Sequence, residues 1–175
     1  LFTIGFKESA DVRPTDAECA ATDVLLQVLA SDTSPLYRRL MAGGWINDSF
    51  SAEYFEGSGY AAVLFGGESR DPDYVAAEIV READRLRREG IDPESFECAR
   101  RALYGSAVSG FGSVSLLANR MADAALSGRT FGAEPELLRA MTVQQVQDRL
   151  AVQLLPDRMA ISVVNPLEST NQQEG

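Results

Sequence analysis

The sequence contains no histidine among its 175 residues. Without an imidazole, the chain cannot form a Ser-His-Asp or Cys-His catalytic arrangement. It also cannot form a His-Glu-x-x-His zinc site or the inverted version of that site. We therefore predict no catalytic residue and no metal ligand within this chain.

Basic residues are scarce, with 16 Lys and Arg against 26 Asp and Glu and a formal net charge of -10. Lys7 is the only lysine. Nucleic-acid affinity depends on clustered cationic side chains that release counterions from phosphates. The composition therefore argues against a nucleic-acid partner.

Cysteines and long apolar runs are also few. Cys19 and Cys98 each lie in a predicted helix, outside any paired-ligand spacing, and we predict two buried free thiols. No run of 18 apolar residues is present, and the N-terminus does not read as a signal peptide, so we expect no membrane partner and a cytoplasmic location. The chain lacks an initiator Met and starts within a predicted strand, so we expect a fragment of a longer polypeptide.

The apolar periodicity predicts an α+β fold, a two-layer sandwich in which a largely antiparallel sheet packs against helices. Helices do not alternate one for one with strands, which disfavours a doubly wound parallel sheet. We predict one domain over residues 1–166 and a polar, disordered tail over 167–175. Strands are predicted at 1–7, 45–55, 60–67 and 159–164, and helices at 15–30, 34–42, 71–89, 92–109, 114–126, 135–140 and 142–154.

Local signals define the helix starts. Thr15 with Glu18, and Thr142 with Gln145, have the spacing of capping boxes. In the helix that starts at 71, the apolar stripe is Val75, Ile79, Ala83 and Leu86, whereas Glu78, Arg81, Glu82, Arg85 and Glu89 are predicted on the outer face.

Two other chemistries have weak support in the sequence. Glu53 with Glu56, or Asp71 with Asp73, could form an acid and base pair, although Asp71 and Asp73 also suit the start of a helix. Residues 105–110 have the small-residue character of a phosphate loop but lack its lysine, and close helix packing explains them better.

Several blocks of the sequence, in order, resemble the C-terminal half of the pitrilysin/insulinase family of zinc metallopeptidases, in particular its bacterial processing-peptidase-like members. The resemblance runs from Leu1 to about Pro166. The blocks are Ile4-Gly5-Phe6-Lys7-Glu8, Ser34-Pro35-Leu36-Tyr37-Arg38-Arg39-Leu40, Gly44-Trp45-Ile46-Asn47-Asp48-Ser49-Phe50-Ser51, Phe65-Gly66-Gly67-Glu68-Ser69-Arg70-Asp71-Pro72-Asp73 and Gly90-Ile91-Asp92-Pro93-Glu94-Ser95-Phe96-Glu97.

The resemblance implies a mitochondrial-processing-peptidase-like metallohydrolase fold, with two homologous halves that face each other around a chamber. It implies that zinc is held by the other, catalytic half, which carries the inverted His-x-x-Glu-His motif. This chain would be the non-catalytic half of an endopeptidase, with the catalytic half, a peptide substrate and a homologous partner subunit as expected partners. The alternative is a stand-alone peptide-binding or scaffold domain of the same fold.

Many family members contribute an Arg and, seven residues later, a Tyr that hold the substrate backbone. The resemblance places Met41 at the arginine position and Asn47 or Asp48 at the tyrosine position, so the chain lacks this pair. A partner subunit could supply it.

The alternation over 45–55 adds a candidate surface. If Ile46, Phe50 and Tyr54 face the helices, the opposite side chains face outward toward the implied chamber. We predict that these contact peptide, with an ordinary solvated sheet face as the alternative; they are Asn47, Ser49, Ser51 and Glu53.

Overall fold

A computed structural model describes residues 1–8, 14–57 and 59–166. Its strands are β1 (Phe2–Lys7), β2 (Ser51–Gly57), β3 (Tyr60–Gly67) and β4 (Met159–Val163). Its helices are α1 (Asp16–Ala30), α2 (Pro35–Ala42), α3 (Pro72–Glu89), α4 (Pro93–Ser109), α5 (Val114–Ser127), α6 (Glu134–Ala140) and α7 (Val143–Val152). Short 3-10 turns occupy Gly110–Gly112 and Pro156–Arg158. The predicted tail at 167–175 lies outside the described residues.

The four strands form one antiparallel sheet in the order β2-β3-β1-β4. Ile4 on β1 lies opposite Phe65 on one side and Ile161 on the other. Alternate β1 residues Phe2, Ile4 and Phe6 are buried on one face of the sheet, because the helices pack against that face. This arrangement confirms the predicted two-layer α+β fold.

Helix α1 lies at the centre of the core. Ten of its 15 residues are buried, since it contacts β2, α4, α6 and α7 on different sides. A helix surrounded in this way needs apolar or small side chains around most of its circumference. The capping box of Thr15 and Glu18 at its start is present as predicted.

Helices α3 and α4 both begin directly after an aspartate and at a proline. The side chain of Asp71 accepts a hydrogen bond from the Tyr74 amide, and that of Asp92 accepts one from Ser95. Each carboxylate satisfies a backbone donor that the first helical turn leaves unpaired. These caps account for Asp71 structurally, which removes the basis for an acid and base pair with Asp73.

Helix α5 differs from the other helices because none of its residues is buried. It nevertheless presents large apolar side chains to solvent. The exposed ones are Val114, Leu116, Met121 and Leu126, and Val114 and Leu126 are more than 80% exposed (85% and 83%). They are spread around the helix, and we call these four side chains together the α5 apolar surface.

Three sequence predictions are wrong. The strand predicted from Trp45 begins only at Ser51, because residues 45–50 are irregular, with a turn at 48–49. Cys98 is exposed, since the buried side of α4 is defined by Phe96 and Ala99. Glu78 and Glu82 were predicted on the outer face of α3 but are buried.

The burial of Glu78 and Glu82 has a simple cause. Arg39 of α2 lies against both carboxylates, with Nη2 3.7 Å from Glu78 and 2.8 Å from Glu82. Arg81 and Arg85 on α3 complete the cluster. The carboxylates are covered by the arginines that neutralise them, which a helical periodicity cannot show.

Candidate functional site

The four predicted peptide-contact residues lie at one end of the sheet, in two different settings. Asn47 and Ser49 are in the turn between α2 and β2, whereas Ser51 and Glu53 are on β2 itself. Both β2 residues are exposed on the face of the sheet away from the helices, as predicted. The structure thus places the four residues along one stretch of chain without making them a single strand face.

Asn47 and Ser49 are used mainly to shape the turn. The Asn47 side-chain oxygen accepts a hydrogen bond from the Ser49 amide at 3.0 Å. The Asn47 side-chain nitrogen donates to the Glu68 carboxylate at 2.8 Å, and the Ser49 hydroxyl accepts from the Glu68 amide at 3.1 Å. An asparagine side chain that accepts a hydrogen bond from the backbone amide two residues later stabilises a turn in place of a strand. This explains why β2 starts late.

A groove of about 540 Å³ runs beside β2. Within the described residues, β2 is an edge of the sheet, so its outer backbone groups face this groove. Ser51, Glu53 and Asp48 line it from the strand side. Leu26, Ala30 and other α1 residues line it from the helix side.

A larger cavity of about 770 Å³ lies at the far end of β2. It is enclosed by α1, the β2-β3 hairpin and the segment from α5 to α6. Asp23 lines both the cavity and the groove, so the two depressions are neighbours. The aromatic part of the wall is Tyr54, Phe55, Tyr60, Phe111 and Phe131.

The charged side chains of this cavity are largely paired. Arg129 lies 2.8 Å from Glu56, and its Nε is 3.9 Å from Asp16. Asp16 also accepts a hydrogen bond from the Thr130 amide at 3.0 Å. These contacts connect α1 and β2 to the segment after α5.

The Cys19 thiol belongs to the same cluster. It donates a hydrogen bond to Glu56 at 3.0 Å. Burial, together with this hydrogen bond, raises the pKa of Cys19 to about 12. The thiol is therefore kept protonated and is a poor nucleophile.

Asp23 is different from the other carboxylates of the cavity. Among the described residues, no side chain or backbone donor forms a hydrogen bond or ion pair with it. Burial raises the pKa of Asp23 to about 7, and Arg129 opposes this shift only in part. The periodicity did not single Asp23 out, although a carboxylate inside the apolar stretch Ala20 to Leu26 was a usable signal.

A second buried polar cluster lies where β1 meets α7. Arg149 makes two parallel hydrogen bonds to Glu8, at 2.8 and 2.6 Å, and a third to Thr22 at 2.8 Å. Tyr54 and Gln153 also donate to Glu8. This cluster is closed to solvent, so it holds the sheet to the helices and offers no site for a ligand.

The described part of the chain shows no group of side chains suited to a zinc ion. It has no histidine, and within residues 1–8, 14–57 and 59–166 no three Cys, Asp or Glu side chains are grouped closely enough to hold a metal ion. In the part of the chain that the structure describes, no helix has the length and apolar character needed to cross a membrane.

An antiparallel sheet covered by helices on one face defines a two-layer α+β domain. Comparison with known families identifies it further. The chain belongs to the family of the peptidase M16 inactive domain, because the model of that family matches residues 4–103, more than half of the chain. This match confirms the family resemblance found in the sequence.

Relatives of the chain are named as zinc proteases and M16 peptidases. The uncharacterized zinc protease YmfH of Bacillus subtilis is 26% identical over 146 residues, which are 82% of this chain and 33% of that protein. A protein assigned to the M16-like peptidases from Alicyclobacillus acidocaldarius is 27% identical with a TM-score of 0.82, over 91% of this chain and 39% of its own. The chain thus spans roughly a third of the length of these relatives.

One further structure shows the fold alone. The inactive peptidase domain assigned to a zinc protease of Bordetella parapertussis superimposes with a TM-score of 0.80 at 15% identity. That match covers 97% of this chain and 93% of the other.

Proposed function

We propose that this chain is the non-catalytic half of a zinc-dependent endopeptidase and that it completes a peptide-binding chamber with a catalytic half carrying the inverted His-x-x-Glu-His motif. In this proposal, residues 1–166 form the domain, and zinc belongs to the catalytic half. We also propose a cytoplasmic location, where unpaired thiols such as Cys19 and Cys98 remain reduced.

The α5 apolar surface carries this proposal. Exposed groups of large apolar side chains on a domain surface commonly mark an interface with another domain or chain. Val114 and Leu126, near the two ends of α5, are both highly exposed. Since the chain spans roughly a third of its relatives' length, we infer that the catalytic half packs around α5.

The groove beside β2 supports a role in binding an extended peptide. An edge strand can pair with a peptide through backbone hydrogen bonds, while neighbouring side chains select among sequences. Ser51 and Glu53 are exposed on this strand and line the groove. Asn47 and Ser49 would act differently, by holding the turn that sets where the strand begins.

The test uses the complete two-half enzyme and a peptide substrate. Joint replacement of Asn47 and Ser49 by alanine, and separately of Ser51 and Glu53, is expected to raise KM several-fold while leaving the zinc content unchanged. Ser162→Ala is the matched control, because Ser162 is exposed on β4 at the opposite edge of the sheet. Unchanged KM and kcat in both double variants would refute peptide contact at these four residues.

The interface is tested separately. Leu126→Asp on the α5 apolar surface is expected to weaken assembly of the two halves when they are expressed as separate chains and analysed by size-exclusion chromatography. A Met121→Leu variant keeps the apolar surface and is expected to assemble normally. If no catalytic half binds the unaltered chain, the stand-alone peptide-binding domain becomes the better explanation.

A further inference from the structure

The cavity at the end of β2 carries a surplus of negative charge after its ion pairs are taken into account. Arg129 is paired with Glu56, and Arg120 lies 3.4 Å from Glu134. Asp23 and Asp123 also line the cavity, and neither forms an ion pair with a described residue. Asp123 is exposed and therefore screened by solvent, whereas Asp23 is half-buried.

An unpaired carboxylate in such a position is costly for the free protein. Burial disfavours its charged form, and the other carboxylates that face it, Glu56 on β2 and Glu134 on α6, add to this effect. Among the described residues, Arg129 is the cation that opposes this effect, but Arg129 is already paired with Glu56. Asp23 therefore has no cationic partner of its own in the part of the chain that the structure describes.

The walls around Asp23 suit a long side chain with a charged end. Tyr54, Phe111 and Leu137 contribute apolar surface to the same cavity. Long basic side chains bury their methylene stems against apolar surface and place the charge at a polar group. The volume of about 770 Å³ lies within the range of natural ligand sites and exceeds the needs of one side chain.

We propose that this cavity is a binding site for the lysine or arginine side chain of an extended peptide, with the Asp23 carboxylate as the partner of the cationic group. The inference deepens the proposed function and rests on it, because Asp23 lines both the groove beside β2 and the cavity. The peptide backbone would lie along β2, and one basic side chain would turn into the cavity.

The experiment compares two peptides and one small cation on the 175-residue chain. The peptides are uncharged except for a single central residue, which is lysine in one and norleucine in the other. The small cation is n-butylamine, which can enter the cavity without using the groove. Binding is followed by calorimetry and by NMR titration of the Asp23 carboxyl carbon.

Three results are expected. The lysine peptide binds about tenfold more tightly than the norleucine peptide at pH 8. This difference in affinity is what one charge-assisted hydrogen bond contributes in a partly buried site. The advantage of the lysine peptide shrinks toward pH 5, because a protonated Asp23 must lose its proton before it pairs with a cation. Butylamine lowers the pKa of Asp23.

Two variants make the test specific. Asp23→Asn is expected to abolish the lysine preference and its pH dependence. Asp157→Asn removes the same charge from an exposed position outside the cavity and is expected to change the preference less than twofold. Circular dichroism on both variants confirms that they fold.

The outcomes separate this inference from the proposed function. Equal binding of the two peptides, with no effect of butylamine on Asp23, overturns the inference while the peptide groove stands. If butylamine acts on Asp23 and neither peptide binds, the cation site stands and the peptide-contact role of the groove falls. A lysine preference that survives Asp23→Asn also overturns the inference, because the partner would be another group.

Discussion

Removing Arg149 is expected to be among the most damaging single changes in this domain. Its side chain is only 5% exposed, and that of its partner Glu8 is 9% exposed. The two are joined by paired hydrogen bonds of 2.8 and 2.6 Å. In Arg149→Met, the Glu8 carboxylate keeps donors only from Tyr54 and Gln153 and loses its counter-charge.

The magnitude follows from this geometry. Breaking a buried ion pair by removing one partner typically costs about 3–5 kcal/mol, because the remaining charge stays buried without compensation. For a domain of this size, each kcal/mol lowers the melting temperature by about 2–4 °C. We therefore expect Arg149→Met to lower the melting temperature by roughly 6–20 °C.

The assay is urea denaturation of four proteins: the unaltered chain, Glu8→Gln, Arg149→Met and the double variant. The double variant should lose clearly less stability than the sum of the single variants, since no unpaired charge remains. Arg101→Met is the control. Its pair with Glu97 is exposed (76% and 35%), so it should change the free energy of unfolding by less than about 1 kcal/mol. A loss below about 1 kcal/mol in Arg149→Met, or strict additivity, would refute the reasoning.

The remaining predictions use the same chain. The pKa of Asp23 is raised in the folded state to about 7, so its protonated form contributes stability that is fully present below the unfolded pKa and is lost as pH rises through about 7. Denaturation at pH 5 and pH 8 should therefore show Asp23→Asn gaining stability over the unaltered chain as pH rises, by about 1.4 kcal/mol for each pH unit between 5 and about 7, and equal pH profiles would contradict this. Thr142→Ala removes the capping box with Gln145 at the start of α7 and should cost about 1 kcal/mol in urea denaturation, whereas Thr142→Ser should be nearly neutral. A thiol reagent at pH 8 should modify the exposed Cys98 within minutes and leave Cys19 unmodified until urea is added, which mass spectrometry of the labelled chain can verify. Rapid labelling of both thiols in the folded chain would contradict the burial of Cys19.

The helix starts and the strand faces were accessible from the sequence because each depends on neighbouring residues. Thr15 and Asp92 cap their helices as their spacing predicts, and Ile4 is buried where the alternation places it. Asn47 shows the limit of this reasoning. The alternation in residues 45–55 is real, but the Asn47 side chain bonds to Ser49 and Glu68 and keeps the chain in a turn.

The candidate site was predicted in part. The exposure of Ser51 and Glu53 follows from the period of a strand. The cavity around Asp23 was not predicted, because its walls come from α1, β2 and the segment after α5, which are distant in sequence. The pairing of Glu8 with Arg149, separated by 141 residues, was equally inaccessible.

By itself the sequence determined the α+β class, the caps that start the helices and the absence of a histidine-based site, since all three depend on composition or on contacts within a few residues. It also carried the family resemblance, through short blocks in a fixed order. Tertiary structure alone decided which charges are neutralised. Arg149 reaches Glu8, and Arg39 covers Glu82, whereas Asp23 is left without a partner among the described residues. The reason is that the energy of a charge depends on its solvent exposure and on neighbours within a few ångströms, and folding brings those neighbours from anywhere in the chain.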